Sequence, residues 1–416
     1  MTMRNLELMA PAGSYESLMA AIQAGAKAVY FGVGALNMRS RSAANFTLDD
    51  LQQIADICRE HQVRSYLTVN TIVYNDEIQL CHDLLDAAKV ARVTAIIASD
   101  MAVIQYARQI GLEIHLSTQC NVTNVEAVRY YAQFADVVVL GRECNLRQVA
   151  DICQTIQEEQ IKGPKGELVQ VEMFVHGALC MAVSGKCYLS LDNYNYPANR
   201  GACIQPCRRA YHVTDYDNEI ELLVDNQYIM SPKDLCTIGF IDKMIKAGVS
   251  IFKIEGRGRS PEYVKIVTQC YQEAIQAVQD QTYTREKVEA WTKRLRSVYN
   301  RDFWDGYYLG RKMGEWSERY GSQATRVKQH VGKVTNFFSN ISVAEISIEE
   351  DALAVGDEML VIGPTTGVYE DTVPEIRVDL KPVEKAPQGE LCSVPVQQLV
   401  RRGDQVYKWV TVMDEF

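Results

Sequence analysis

No stretch of these 416 residues approaches the run of about 20 apolar residues that crosses a bilayer. The opening MTMRNLELMAPAG likewise lacks an apolar core of signal-peptide length, so the chain is expected to be cytoplasmic, with no membrane partner. Histidine is scarce: there are six, and no His-Glu-x-x-His pair exists to grip a protease zinc. A Gly-x-Ser-x-Gly elbow for a serine hydrolase is absent too. Although the chain holds twelve cysteines, none forms a Cys-x-x-Cys pair, which weakens a zinc-ribbon reading in which close pairs grip the metal from two turns. Excess basic charge is also missing. With 43 Lys and Arg against 53 Asp and Glu, the net charge is -10, so RNA could be met only by a local basic patch.

What remains, 47% hydrophobic and 23% charged, is the composition of a globular chain with core enough for one large domain and a smaller one. Over the first 270 residues, short apolar runs alternate with amphipathic stretches. The runs are Leu6 to Ala10, Ala28 to Val33, Ser65 to Asn70, Ala95 to Ser99, Glu113 to Gln119, Asp136 to Glu143, Val171 to Gly177 and Ser250 to Gly256. A helical pattern follows each, directly or after an insertion, as at Leu48 to His61 and Pro261 to Val278. Apolar strands separated by helices imply a parallel sheet, and eight such units predict an α/β fold, a TIM-like (β/α)8 barrel. An open doubly wound sheet is the alternative. In a barrel the carboxyl ends of the strands carry the site, so Asn70, Ser99, Asp100, Ser117 to Gln119, Arg142, Glu143, His176, Glu255 and Arg257 are expected to converge.

The barrel is expected over 1–285, with a cysteine-rich loop at 177–236 that holds a hairpin insertion before Cys236. A basic and aromatic connector occupies 286–323. Its interleaved Arg, Lys, Trp and Tyr suit a nucleic-acid clamp, and equally an exposed helix whose aromatics pack on the barrel. From 324 to 416, five or six short alternating strands predict a small antiparallel β-barrel.

Cys180, Cys187, Cys203, Cys207 and Cys236 are spaced x6, x15, x3 and x28. Thiols gathered by loops in a reducing compartment are more often ligands or redox groups than disulfides. Four thiolates from dispersed loops suit an iron–sulfur cluster, whose all-cysteine ligation tolerates varied spacing; zinc and unligated redox thiols stay open. The other seven, including Cys58, Cys81, Cys153 and Cys270, read as small core residues. His176, four residues before Cys180, is the histidine set to act as a base on a thiol. Cluster ligation would compete with such a Cys–His pair for the same sulfur.

The run Glu172-x-Phe174-x-x-Gly177-Ala178-Leu179-Cys180-x4-Gly185-x-Cys187-x-Leu189-Ser190 resembles the signature of peptidase family U32. Leu8 to Gly13 (LMAPAG), Asn199 to Cys203 (NRGAC), Ser231 to Cys236 (SPKDLC) and Lys253-x-Glu255-Gly-Arg257 extend the resemblance over most of residues 1 to 325. The family's older label is collagenase-like protease, while several members are implicated in oxygen-independent hydroxylation of tRNA wobble uridine with prephenate, of ribosomal RNA cytidine and of ubiquinone precursors. The resemblance implies a 4Fe-4S cluster on Cys180, Cys187, Cys203 and Cys236, with Cys207 as the alternative ligand. Chain length and the C-terminal β-domain are most similar to members that make tRNA 5-hydroxyuridine. That implies tRNA as substrate, prephenate as co-substrate and room for a partner subunit of the same family. On this reading Arg39, Arg41, Asn70, Gln119, Arg142, Lys233 and Arg257 bind carboxylates or phosphates, and His176, Glu143 and Glu255 are the catalytic groups. Two other readings stand beside it: a collagenase-like peptidase, and a non-catalytic RNA-binding or scaffold subunit whose metal staples the loops.

Overall fold

The computed structural model describes residues 6–41, 45–211, 230–310 and 314–412; the expected hairpin insertion, at 212–229, lies outside the described residues. Seven strands pair side by side in chain order: β1 (Glu7–Pro11), β2 (Ala28–Gly32), β3 (Arg64–Val69), β4 (Ala95–Ala98), β5 (Glu113–Leu116), β6 (Val137–Val139) and β7 (Gln170–Gly177). The short β8 (Asp234–Cys236) runs antiparallel to the end of β7, outside the ring. An eighth parallel strand, β9 (Ile251–Ile254), pairs with both β7 and β1 and closes the barrel.

Helices α1 (Tyr15–Gln23), α2 (Asp50–Glu60), α3 (Ile78–Val90), α4 (Met101–Gln109), α5 (Val125–Tyr131) and α6 (Leu146–Glu158) separate the first seven strands. Polar caps start several of them: Ser14 Oγ accepts from Ser17 N, and Asn145 and Gln148 form a reciprocal capping box. The short α7 (Leu189–Tyr194) lies in the cysteine loop, and α8 (Ile241–Ala247), α9 (Pro261–Gln279) and α10 (Arg285–Arg296) follow.

The two faces of the barrel strands differ. Leu8, Val29, Leu67, Ile96, Ile114, Val138, Val171 and Phe252 belong to the apolar layer shared with the helices. Alternate positions form a separate inner set, where Tyr30, Tyr66 and Ile97 accompany the buried polar groups Glu7, His115, Glu172 and Lys253. One irregularity redirects a side chain. Strict alternation would turn Glu172, Phe174 and His176 all inward, but the β7–β9 register shifts between Phe174 and His176, so His176 pairs with Ile254 and faces α9.

The connector folds as a helix docked on the barrel. Trp291 and Leu295 of α10 are buried, Trp291 Nε1 donates to Glu273 Oε2 at 2.7 Å, and the Tyr308 hydroxyl donates to Phe174 O at 3.0 Å. Trp291, Trp304 and Tyr308 are therefore packing groups, the second of the two readings of this connector, while Tyr320 near its end stays exposed. From Arg326 to Thr411, eight strands form one antiparallel sheet around their own core of Val331, Ile346, Val361, Val394 and Val406. That sheet docks on the outside of the barrel, where Ala20 of α1 meets Leu360, Ile362 and Val368, and Gln23 Nε2 donates to Thr366 O at 2.8 Å. Among the described residues no helix is long and apolar enough to cross a membrane.

Candidate active site

A cavity of about 180 Å³ opens at the carboxyl ends of the strands. Its floor is Tyr30, Thr68, Ile97, Phe174 and Lys253; the strand-end loops add Arg39, Asn70, Ser117, Gln119, Arg142, Glu255 and Arg257. The cysteine loop supplies the remaining wall, with Cys180, Cys187, Cys203, Cys207 and Arg208. Arg39, Arg142, Arg208, Lys253 and Arg257 face one carboxylate, Glu255, inside a chain whose net charge is -10. Such a cavity attracts an organic or phosphate anion.

These cations are held firmly. Arg39 Nη2 donates to Glu255 Oε1 at 2.7 Å. Burial alone would raise the Glu255 pKa, but the charges of Arg39, Arg259 and Arg142 outweigh it and hold the carboxyl at about 2. The buried Arg257 guanidinium donates to Thr68 Oγ1 at 2.8 Å and Asn37 Oδ1 at 3.0 Å, and burial draws its pKa down to about 10. Gly32 leaves the room this guanidinium occupies, since a Cβ there would strike it. Arg142 stacks on the Phe174 ring at 4.1 Å and donates to Ala178 O at 3.1 Å. Its Nε and Gln119 Oε1 are buried without a hydrogen-bond partner, so both stay available to an occupant. Asn70 is committed to the framework: its Oδ1 accepts from Met38 N and its Nδ2 donates to Ser117 Oγ.

The thiols divide four and one. Cys207 feels the charges of Cys180, Cys203 and Cys187, and burial pushes its thiol up to about 11. Cys236, in contrast, sits on β8 away from the cavity, its Sγ 3.8 Å from the Tyr271 hydroxyl, and burial pushes it up to about 11 as well. Cys207 thus stands with Cys180, Cys187 and Cys203, in the place expected for Cys236. Among the described residues no three His, Cys, Asp or Glu side chains come close enough together to enclose a metal ion. A tetrahedral zinc, with bonds of about 2.3 Å, needs its thiolates about 3.8 Å apart, so this arrangement does not suit it. An all-thiol donor set around one cavity agrees in chemistry with a larger iron–sulfur cluster.

Six other expected residues fall outside the cavity, among them Ser99, whose Oγ donates to Asn70 O at 3.0 Å, and Asp100, which accepts from Val73 N and Ala102 N. His176 is buried among Tyr263, Tyr271 and Phe303, its Nδ1 3.4 Å from the Tyr271 hydroxyl, and burial followed by Arg259 lowers its pKa to about 3. The bulge in β7 is the physical reason it cannot serve as a base there. Glu143 is exposed and lines no part of the cavity. Lys233 pairs with Asp302 at 3.0 Å and Glu315 at 3.3 Å. Arg41 lies over the Tyr196 ring at 5.1 Å and borders a neighbouring groove with Arg208, Arg209, Arg301, Arg319 and Tyr320. Lys253 and Arg208 belong to the cavity without having been expected. The period-2 run Lys253-x-Glu255-x-Arg257 carried the signal for the first; Arg208 donates to Leu179 O and Pro232 O, loop contacts that have no local pattern.

A protein of Porphyromonas gingivalis named "Collagenase" is 58% identical over 98% of this chain and 99% of its own length. "tRNA hydroxylation protein P1" of Bacillus subtilis is 31% identical, covering 89% of this chain and 86% of its own. A solved structure of a U32 peptidase aligns over 62% of this chain and 95% of its own, with 12% identity and a TM-score of 0.38. The sequence profile of peptidase family U32 matches residues 13–318, and the chain belongs to that family.

Proposed function

We propose that the chain is an iron–sulfur RNA-modifying enzyme that hydroxylates the wobble uridine of tRNA at C5, without molecular oxygen and with prephenate as co-substrate. The observation that carries this reading is one cavity lined by four thiols and five cationic side chains. Cys180, Cys187, Cys203 and Cys207 would hold a 4Fe-4S cluster, which supplies electrons or activates an oxygen donor when bound. The chain's own residues bind and orient. Arg39, Arg142, Arg257 and Lys253 pair the carboxylates of an organic acid, while Phe174, Tyr30 and Ile97 pack its apolar body and exclude water. Outside the mouth, Arg41 over Tyr196, Arg209 donating to the Tyr194 hydroxyl at 2.6 Å and the exposed Tyr320 offer phosphate contacts and stacking faces to single-stranded RNA. The relative named for tRNA hydroxylation supports RNA as the substrate class.

A peptidase is the second reading, favoured by the name of the 58% identical relative. Among the described residues no histidine lines the cavity, so none of them assembles a thiol–imidazole nucleophile there. A purely structural metal site is closed around its ligands, whereas these thiols border an open cavity that charged and apolar side chains also line. The deciding experiment is nucleoside mass spectrometry of tRNA from a strain lacking the gene, complemented with the wild type or with Cys203→Ala. Loss of 5-hydroxyuridine that only the wild type restores supports the proposal. Unchanged nucleosides, with gelatin hydrolysis by the purified chain, would favour the peptidase.

A further inference from the structure

The barrel core holds a line of ionisable side chains of which the proposed chemistry uses one end alone, Lys253. Lys253 Nζ, at the cavity floor, donates to Glu172 Oε1 at 2.8 Å. Glu172 Oε2 faces His115 Nδ1 at 3.7 Å, and His115 Nε2 lies 3.4 Å from Glu113 Oε1. Glu113 is ion-paired with Lys165, and both line a groove at the opposite, amino-terminal end of the barrel. The side chains of His115 and Glu172 are fully buried, yet His115 Nδ1 and Glu172 Oε2 have no hydrogen-bond partner. Branched aliphatic residues would fill a barrel core with no such unsatisfied atoms. We propose that Glu113, His115, Glu172 and Lys253 form a proton relay through the barrel core, joining the groove at one end to the cavity at the other.

One proton crosses and no electron moves. Imidazole takes a proton at Nε2 on the Glu113 side and releases another from Nδ1 to Glu172 Oε2. Glu172 turns its carboxyl and hands that proton to Lys253 Nζ, whose ammonium has given one to an oxyanion of the organic acid in the cavity. The 3.7 Å gap must close by roughly 0.7 Å for the transfer, so it is the step that gates the path.

The surrounding charges permit protonation of the imidazole. Glu7 of β1 is bound by the Tyr66 hydroxyl at 2.8 Å and by Arg64 at 3.1 Å, both from β3, and the Tyr66 ring lies tilted against His115, centroids 4.4 Å apart. Burial lowers the His115 pKa, but Glu113 and Glu172 outweigh it and raise it. At the other end burial, joined by Arg257 and Arg142 against the pull of Glu172, lowers the Lys253 pKa, and its ammonium lies over the Tyr30 ring at 4.7 Å.

The relay's delivery to an organic acid rests on the function proposed above; its internal coupling does not. Nitrogen-15 NMR of the imidazoles in the full chain, with His115 assigned by His115→Gln, measures the coupling directly. Lys253→Met removes the cation competing for Glu172, so the His115 midpoint is expected to rise by about one pH unit. Glu172→Gln should lower it by a similar amount, and an unmoved midpoint in both variants overturns the relay. Calorimetry of phenylpyruvate binding, in buffers of different ionisation enthalpy, then tests delivery. Wild type is expected to take up a fraction of a proton that His115→Gln loses while affinity changes less than about threefold. Uptake retained in His115→Gln overturns the relay. Absence of phenylpyruvate binding to wild type counts against the organic-acid site alone, and the NMR midpoints still decide the relay.

Discussion

Arg39 Nη2 lies 2.7 Å from Glu255 Oε1, joining the loop after β2 to the end of β9 across the cavity mouth. The folded-state pKa of Glu255, about 2, is below its unfolded value near 4.5, so its contribution to stability is present above about pH 4.5 and lost as the pH falls towards 2. Arg39→Met should cost about 1–3 kcal/mol at pH 7, because Glu255 keeps Arg142 and Arg259 as neighbours, and should flatten the acid limb. Urea denaturation at pH 7 and pH 3.5 measures both effects; an unchanged acid limb would show that the pair does not set the acid response.

Cys180→Ala, Cys187→Ala, Cys203→Ala and Cys207→Ala should each abolish the iron and sulfide of anaerobically purified protein. Cys236→Ala should retain them, since that thiol lies behind the wall beside Tyr271. Iron and sulfide analysis with absorption and electron paramagnetic resonance spectra reads the result. Retention by Cys207→Ala together with loss in Cys236→Ala would reverse the ligand assignment.

His176 destabilises the fold in acid as Glu255 does, but through burial of a neutral ring rather than loss of an ion pair. Buried and neutral, with its pKa lowered to about 3, it binds a proton more weakly than in the unfolded chain, so stability falls as the pH drops below about 6.5. Between pH 8 and pH 5 the loss amounts to about 2 kcal/mol. His176→Phe should remove that slope without altering iron content, whereas a catalytic role would appear as lost activity at unchanged stability.

The rim outside the mouth should govern RNA affinity. Arg209→Ala and Tyr320→Ala are each expected to weaken tRNA binding by about tenfold, and Arg209→Ala should also reduce its salt dependence. Lys233→Ala should leave binding unchanged, because that ammonium is occupied by Asp302 and Glu315. Filter binding at two salt concentrations separates these outcomes.

Much of the cavity was legible in the linear pattern. Asn70, Gln119, Arg142, Glu255 and Arg257 end barrel strands or begin the loops after them, so counting strands was enough to gather them. Lys253 was equally readable, two residues before Glu255 on the same strand face, but an apolar run conceals an inward-facing charge unless alternation is followed residue by residue. His176 was misjudged by that same alternation, because one bulged residue in β7 reverses the side on which its ring emerges.

The sequence by itself determined the parallel barrel, the site's end of it, and the set of thiols from which ligands are drawn, because strand periodicity, helix caps and residue type are local properties. Tertiary structure alone decided that Cys207 replaces Cys236 in the cavity, that the connector's tryptophans pack inward, and that Glu113, His115, Glu172 and Lys253 align through the core. Each of those relations joins residues distant along the chain, and their distances are set by barrel closure and loop packing, which no local pattern encodes.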